Sequence, residues 1–301
     1  MIVYLLKRVA IILAILYFGI LLVLMANETL LVYPGSRYPR GNWAPVGFNF
    51  EEVDFRSDDG TRLVGWYLPP PSIGGGIVAD VVEQETQEGD DGQENHEPAE
   101  QPVQTILLCH GNAENVAQSA AYIGEMLRRT LNAELFVFDY RGFGKSEGVP
   151  AERGVLEDSE AAYEWLKTKS GKSPSEIILV GHSIGGGPAV HLASKHGAKL
   201  LVLQRTFDAL TEPAANQYPW LPIRYVMRNQ FRSIDWIKDY SGPVFQSHGT
   251  ADRLIPIHMG RELFDTAPTK AKQFFSVEGM GHLDPLPENY WEQLSQFVER
   301  L

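Results

Sequence analysis

Three residues of this chain have the types and the order needed to activate a weak nucleophile. Ser183 sits in Gly181-His182-Ser183-Ile184-Gly185, Asp252 in HGTADRLIP and His282 in EGMGHLD. A serine hydroxyl attacks carbonyl carbon at neutral pH only when an imidazole takes its proton, and the imidazole needs a carboxylate to fix its tautomer and stabilise its cation. The pattern G-x-S-x-G marks a sharp strand-to-helix turn that exposes the serine hydroxyl, with glycines two positions either side avoiding a clash. Glycine costs about 1 kcal/mol relative to alanine inside a helix. Gly185, Gly186 and Gly187 nevertheless stand together ahead of Pro188, which implies a close approach that a side chain would block. The roles that follow are Ser183 as nucleophile, His282 as base and Asp252 as the group that orients it. An oxyanion formed at the carbonyl needs preorganised donors. Two main-chain N–H groups are placed to serve: Ile184, where the helix starts, and Asn112, just after His110-Gly111.

Other residues at similar places have simpler expected roles. Asp208 and Asp284 are rivals to Asp252, and Asp208 is the more serious because it follows the preceding strand. Asp139, in FDYRGFG, comes before the serine and is expected to brace its turn through Arg141 or backbone amides. His110 is expected to support the HGN loop, and His182 and His248 to pack beside the site. Cys109 is the only cysteine. That excludes an intramolecular disulfide and a thiolate metal cage, and its place in an aliphatic run predicts a buried strand residue. His191 and His196 are five residues apart, a spacing that does not align two ligands on one helix face. No metal or organic cofactor is expected.

The elements that must position these residues alternate regularly. FEEVDFRSDDGTRLVGWYLPPP reads as two antiparallel strands joined at Asp59-Gly60, a dipeptide that accepts a tight hairpin turn. Downstream, TILLCHG, AELFVFDYRGFG, EIILVGHS, KLLVLQRTF, GPVFQSHG and KQFFSVEG read as strands. AENVAQSAAYIGEMLRRTL, ERGVLEDSEAAYEWLKTK, GGPAVHLASKH and PENYWEQLSQFVER read as helices. The strands lack polar alternation, as strands covered on both faces do, and strand-helix alternation predicts a doubly wound, mostly parallel α/β sheet. Ligands of such sheets bind outside the carboxyl ends of the strands, where Ser183, Asp252 and His282 all fall. Residues 206–240, containing YPWLPIRYVMRNQF, fit no single element and are expected to form a small helical excursion over the sheet edge. Trp220, Leu221, Pro222 and Ile223 either pack a small helix or, as a lid, line an acyl groove.

With LLCHGNAEN, FDYRGFGKSEG, GHSIGGGPA, HGTADRLIP and GMGHLD together, the chain from about Glu52 to Leu301 resembles the α/β-hydrolase superfamily. It looks most like the membrane-anchored serine hydrolases that include eukaryotic protein depalmitoylases and their bacterial relatives. YPWLPIRYVMRNQFRSIDWI resembles the short cap of that group. The resemblance implies Ser183, Asp252 and His282 as catalytic residues and Asn112 and Ile184 as oxyanion donors. The expected activity is cleavage of a carboxylic ester or thioester through an acyl-enzyme. The alternatives are a peptidase of the same fold and a non-catalytic, hydrolase-like membrane scaffold. Gln204-Arg205 departs from the acidic-Ser pair expected before Thr206-Phe207, which leaves the pocket floor open.

Ahead of this domain, Val9 to Ala26 is an uncharged apolar run preceded by Lys7 and Arg8. About 20 residues at 1.5 Å each cross the hydrocarbon core of a bilayer. The run is read as an anchor with the bilayer as its partner. A cleaved signal sequence is the alternative, although Leu24 stands where a small residue is wanted. Lys7 and Arg8 favour a cytoplasmic amino terminus, which puts the hydrolase domain on the non-cytoplasmic side. The expected organisation is a membrane segment at 1–30 and a hydrolase domain at 31–301, with an acidic insertion at 72–102 and the cap at 206–240. Asp80 to Glu100 carries nine acidic residues and no Lys or Arg. The net charge of -12 is thus concentrated locally, and its composition predicts disorder. No basic stripe with interleaved aromatics is present, so nucleic acid is not expected as a partner.

Overall fold

A computed structural model of the chain describes residues 1–45, 49–71 and 102–301. The acidic insertion expected at 72–102 lies, apart from Pro102, outside the described residues. Among the described residues, eight strands form one sheet: β1 (Glu51–Arg56), β2 (Arg62–Leu68), β3 (Gln104–Cys109), β4 (Ala133–Phe138), β5 (Ile177–His182), β6 (Leu200–Gln204), β7 (Val244–Gly249) and β8 (Lys272–Val277). Their order is β1-β2-β4-β3-β5-β6-β7-β8. The pairs β1/β2 and β2/β4 are antiparallel, and every later pair is parallel. This is the α/β-hydrolase fold. The β1–β2 hairpin closes where Gly60 has φ +86° and its N–H donates to the Ser57 carbonyl at 2.8 Å.

The unbroken apolar runs of the central strands have a direct cause. Successive side chains point to opposite faces, and both faces are covered. Leu107, Leu179, Leu201 and Leu203 join one core with the helices Glu152–Ser170, Gly186–His196 and Ile257–Thr266. Ile106, Leu108, Ile178, Val180 and Val202 join the other, against the helical stretch 116–130 and the helix Glu288–Glu299. All nine of these strand residues are fully buried. Each contributes about 1.5–3 kcal/mol through burial, which makes the sheet a rigid base for the loops at its carboxyl edge.

Within 206–240 the chain forms the short helices Thr211–Gln217, Ile223–Val226 and Ser233–Trp236. At the amino terminus, Ile2–Ala26 is one continuous helix, long and apolar enough to cross a membrane by length and composition. A one-turn helix, Glu28–Val32, follows it directly.

Candidate active site

The strand β5 ends at His182, a tight turn covers Ser183–Gly185, and the helix Gly186–His196 begins at once. Ser183 has φ +53°. A left-handed conformation is strained for a residue with a Cβ, and it holds the hydroxyl out of the turn. Two flanking glycines make the turn possible by close approach. A Cβ on Gly181 would stand 2.7 Å from the Gly185 carbonyl oxygen, and one on Gly185 would overlap the Cys109 carbonyl of the neighbouring strand.

The loops after β7 and β8 bring the partners in. Ser183 Oγ lies 3.0 Å from His282 Nε2, and His282 Nδ1 lies 2.7 Å from Asp252 Oδ2. The other oxygen of Asp252 accepts the amides of Leu254 and Ile255 at 3.0 and 2.9 Å. Burial favours the protonated form of Asp252, but His248, His282 and the Ile255 amide outweigh it and hold the carboxyl well below its usual range. An ionised carboxylate can only accept. Nδ1 of His282 therefore donates to Asp252, and Nε2 is left as an acceptor for the serine hydroxyl. His248, expected only to pack nearby, has its Nε2 3.5 Å from Asp252 Oδ2 and 2.7 Å from the Ile255 carbonyl. It braces the loop that carries Asp252.

The rival carboxylates are engaged elsewhere. Asp284 Oδ2 accepts the Gly281 amide at 2.7 Å and so shapes the His282 turn from within. Burial pushes Asp208 up to about 6, and the carboxylate that meets His282 is Asp252. Asp139 accepts the amides of Val116 and Lys145, and burial pushes it up to about 7. The expected brace is thus made to backbone amides. Arg141 instead pairs with Asp158 and Asp59. His110 is fully buried with Nδ1 2.8 Å from the Gly111 carbonyl. Cys109 is fully buried in β3, where desolvation pushes its thiol far up. His182 lies beside the site with Nδ1 3.4 Å from Glu114.

An apolar cavity of about 340 Å³ borders Ser183, Asn112 and Ile184. The side-chain amide of Asn112 donates to the Val32 carbonyl, which fixes the loop that carries its main-chain N–H. Leu221 and Ile223 line the cavity, whereas Trp220 meets Tyr17 of the N-terminal helix with ring centroids 6.3 Å apart. Gln204 and Arg205, read as an open question about the pocket floor, are not part of the lining. Gln204 donates to the Tyr290 hydroxyl at 2.7 Å. Arg205, 2% exposed, donates through Nη1 to the carbonyls of His282 and Asp284 at 2.5 and 2.6 Å. A larger polar depression of about 810 Å³, lined by Glu160 and His191 among others, does not include Ser183.

Comparison with known proteins agrees with this architecture. Residues 104–234 match the family model described as alpha/beta hydrolase fold. An uncharacterized protein of Mycobacterium tuberculosis is 31% identical over 267 residues, covering 89% of this chain and 84% of that protein. The chain belongs to the α/β-hydrolase family. Mouse alpha/beta hydrolase domain-containing protein 17C is 36% identical over 196 residues, covering 64% of this chain and 59% of the mouse protein. Among solved structures, the Pyrococcus furiosus esterase Pf2001 superposes with a TM-score of 0.65 at 18% identity, over 88% of this chain and 98% of the esterase. That likeness concerns the fold shared by hydrolases of this family.

Sequence reasoning placed Arg205 at the pocket floor rather than on the His282 turn, and it missed the bracing role of His248 and the part played by the N-terminal helix at the cavity. An arginine directly after the aliphatic run KLLVLQ is the local signal, since a cation carried at the end of a covered strand needs a specific partner. The others depend on contacts between distant segments and leave no local signal.

Proposed function

We propose that this hydrolase cleaves a carboxylic ester or thioester through an acyl-enzyme formed on Ser183. The observation that carries the reading is the continuous chain Asp252–His282–Ser183, with both links at hydrogen-bond distance and the serine at the border of an apolar cavity. In the first step Ser183 Oγ attacks the carbonyl carbon while its proton passes to His282 Nε2. Asp252 stabilises the imidazolium that forms. The N–H groups of Ile184 and Asn112 receive the oxyanion, and His282 returns the proton to the departing alkoxide or thiolate. A water, deprotonated by the same imidazole, then attacks the acyl-enzyme and restores Ser183 with release of the acid. Among the described residues the cavity lining carries one charged side chain, Glu28. This favours an acyl chain over a polar peptide as the occupant.

The helix Ile2–Ala26 serves in this reading as a retained anchor. Lys7 and Arg8 in its amino-terminal part support a hydrolase domain on the non-cytoplasmic face. A reporter enzyme active only outside the cytoplasm, fused after Leu301, tests that side. Loss of its activity, with a cytoplasmic reporter active instead, reverses the assignment.

The decisive experiment on the chemistry is labelling of the purified protein with a fluorophosphonate probe. Labelling is expected on Ser183 and absent in Ser183→Ala. A folded wild-type protein that fails to label, or a Ser183→Ala protein that labels equally, removes the reading.

A further inference from the structure

The amino-terminal helix has one face that is not free. Among Ile2–Ala26 every residue is exposed except Tyr17, Leu21, Leu24 and Met25. Their spacing places them on one side of an α-helix, and Glu28 and Val32 continue the same stripe into the next helix. Tyr17 packs on Trp220 and donates to its carbonyl at 3.2 Å. Leu21, Leu24 and Met25 line the cavity that borders Ser183.

Just beyond the helix, a polar clasp holds it to the cap. Glu28 is 6% exposed and accepts the main-chain amides of Arg228 and Asn229 at 2.9 and 2.8 Å and the Asn229 side chain at 2.7 Å. Arg228 bonds Glu28 through Nε at 3.1 Å and donates through Nη2 to the Met25 carbonyl at 3.0 Å. Burial works against ionisation of Glu28, but the Asn229 and Arg228 bonds overcome it and lower its pKa. The helix is therefore seated on the hydrolase domain.

We infer that this helix is a wall of the substrate cavity as well as an anchor: Leu21, Leu24 and Met25 hold the far part of an acyl chain whose carbonyl lies at Ser183, and the chain enters from the bilayer. The inference rests on the hydrolase reading of Ser183. At 1.5 Å per residue, Leu21 to Met25 lie within about 8 Å of the end of the spanning helix, at the depth where the hydrocarbon core meets the headgroups. A cavity walled at that level accepts the acyl chain of a membrane-resident ester or thioester without drawing the chain through water. Cleavage after Ala26 would remove all three side chains and open the cavity, so the anchor has a structural use that a signal sequence lacks.

Full-length protein in liposomes of neutral phospholipid is treated with octyl and dodecyl fluorophosphonates carrying a diazirine in the alkyl chain, irradiated, and mapped by peptide mass spectrometry. The expected result is one molecule bearing both a phosphonyl group on Ser183 and a photo-adduct within residues 21–25. Labelling at Ser183 with photo-adducts confined to other segments overturns the inference while sparing the hydrolase reading. Absence of labelling at Ser183 removes both.

A substitution provides the second readout. Leu24→Trp fills the wall and is expected to lower the ratio of kcat/KM for p-nitrophenyl octanoate over acetate at least tenfold, since each apolar methylene is worth about fourfold. Leu22→Trp, on the exposed face, leaves that ratio within twofold. Equal ratios in Leu24→Trp and wild type overturn the inference.

Discussion

Replacing Arg205 by methionine tests whether His282, the proposed base, is held in place by a buried cation. Among the described residues no carboxylate lies at hydrogen-bond distance from Arg205; its Nη1 instead bonds the carbonyls of His282 and Asp284. Burial lowers its pKa from the ordinary arginine value, so the folded state bears a desolvation cost that methionine relieves. Replacing a buried charge with an apolar residue of similar size can be neutral on that account. The two carbonyls, however, lose a charged donor, and a hydrogen bond to a charged group contributes about 1.5–3 kcal/mol. The net expectation is a loss of about 2–4 kcal/mol in unfolding free energy, read from urea denaturation followed by circular dichroism. For catalysis, the turn that presents His282 relaxes, and a misplacement of about 1 Å costs roughly a hundredfold in kcat. KM should remain within about threefold, because Arg205 does not line the cavity and uniform binding is untouched. Arg205→Lys, which retains a donor, should recover part of kcat. Wild-type kcat in a folded Arg205→Met protein refutes the reasoning, and so does a loss confined to KM.

Three further outcomes follow from the same geometry. Asp252→Asn keeps an oxygen for the Leu254 and Ile255 amides but turns an NH2 donor to His282 Nδ1, which imposes the wrong tautomer and should lower kcat by about 10⁴ in initial-rate assays, with an unchanged circular dichroism spectrum; a loss below tenfold would show that another group orients His282. Gly185→Ala forces a Cβ into the Cys109 carbonyl and should cost at least about 1–3 kcal/mol by overpacking, measured by thermal unfolding; an unchanged Tm contradicts the close approach. Burial raises Asp139 from its usual 3.8 to about 7, so the folded chain binds more protons than the unfolded one between those values. Its contribution to stability is present below that window and is lost as pH rises through it. Asp139→Asn should therefore be less destabilising at pH 8 than at pH 5 in paired urea titrations, and equal losses at the two pH values would show that the Val116 and Lys145 amides keep the carboxylate ionised.

The fold and the three principal site residues were legible because both depend on local pattern. Unbroken aliphatic runs mark strands covered on both faces, and such a sheet presents its strand ends on one edge. Ser183, Asp252 and His282 each follow a strand, so their convergence follows from topology without knowledge of any single contact. The glycines around Ser183 were likewise readable as a demand for space.

Chain order alone left open which of Asp208, Asp252 and Asp284 meets His282. The loop after β7, tied by the Leu254 and Ile255 amides, decides for Asp252. The Glu28 clasp on Arg228 and Asn229 joins positions 200 and 201 residues apart. The seating of Leu21, Leu24 and Met25 over the cavity follows from it. A local sequence pattern carries periodicity and turn chemistry, which are properties of neighbouring residues. The partner of a buried carboxylate is set by packing between remote segments. That is why the three residues of the hydrogen-bonded chain could be named from the sequence, while the walls around them are a property of the tertiary structure.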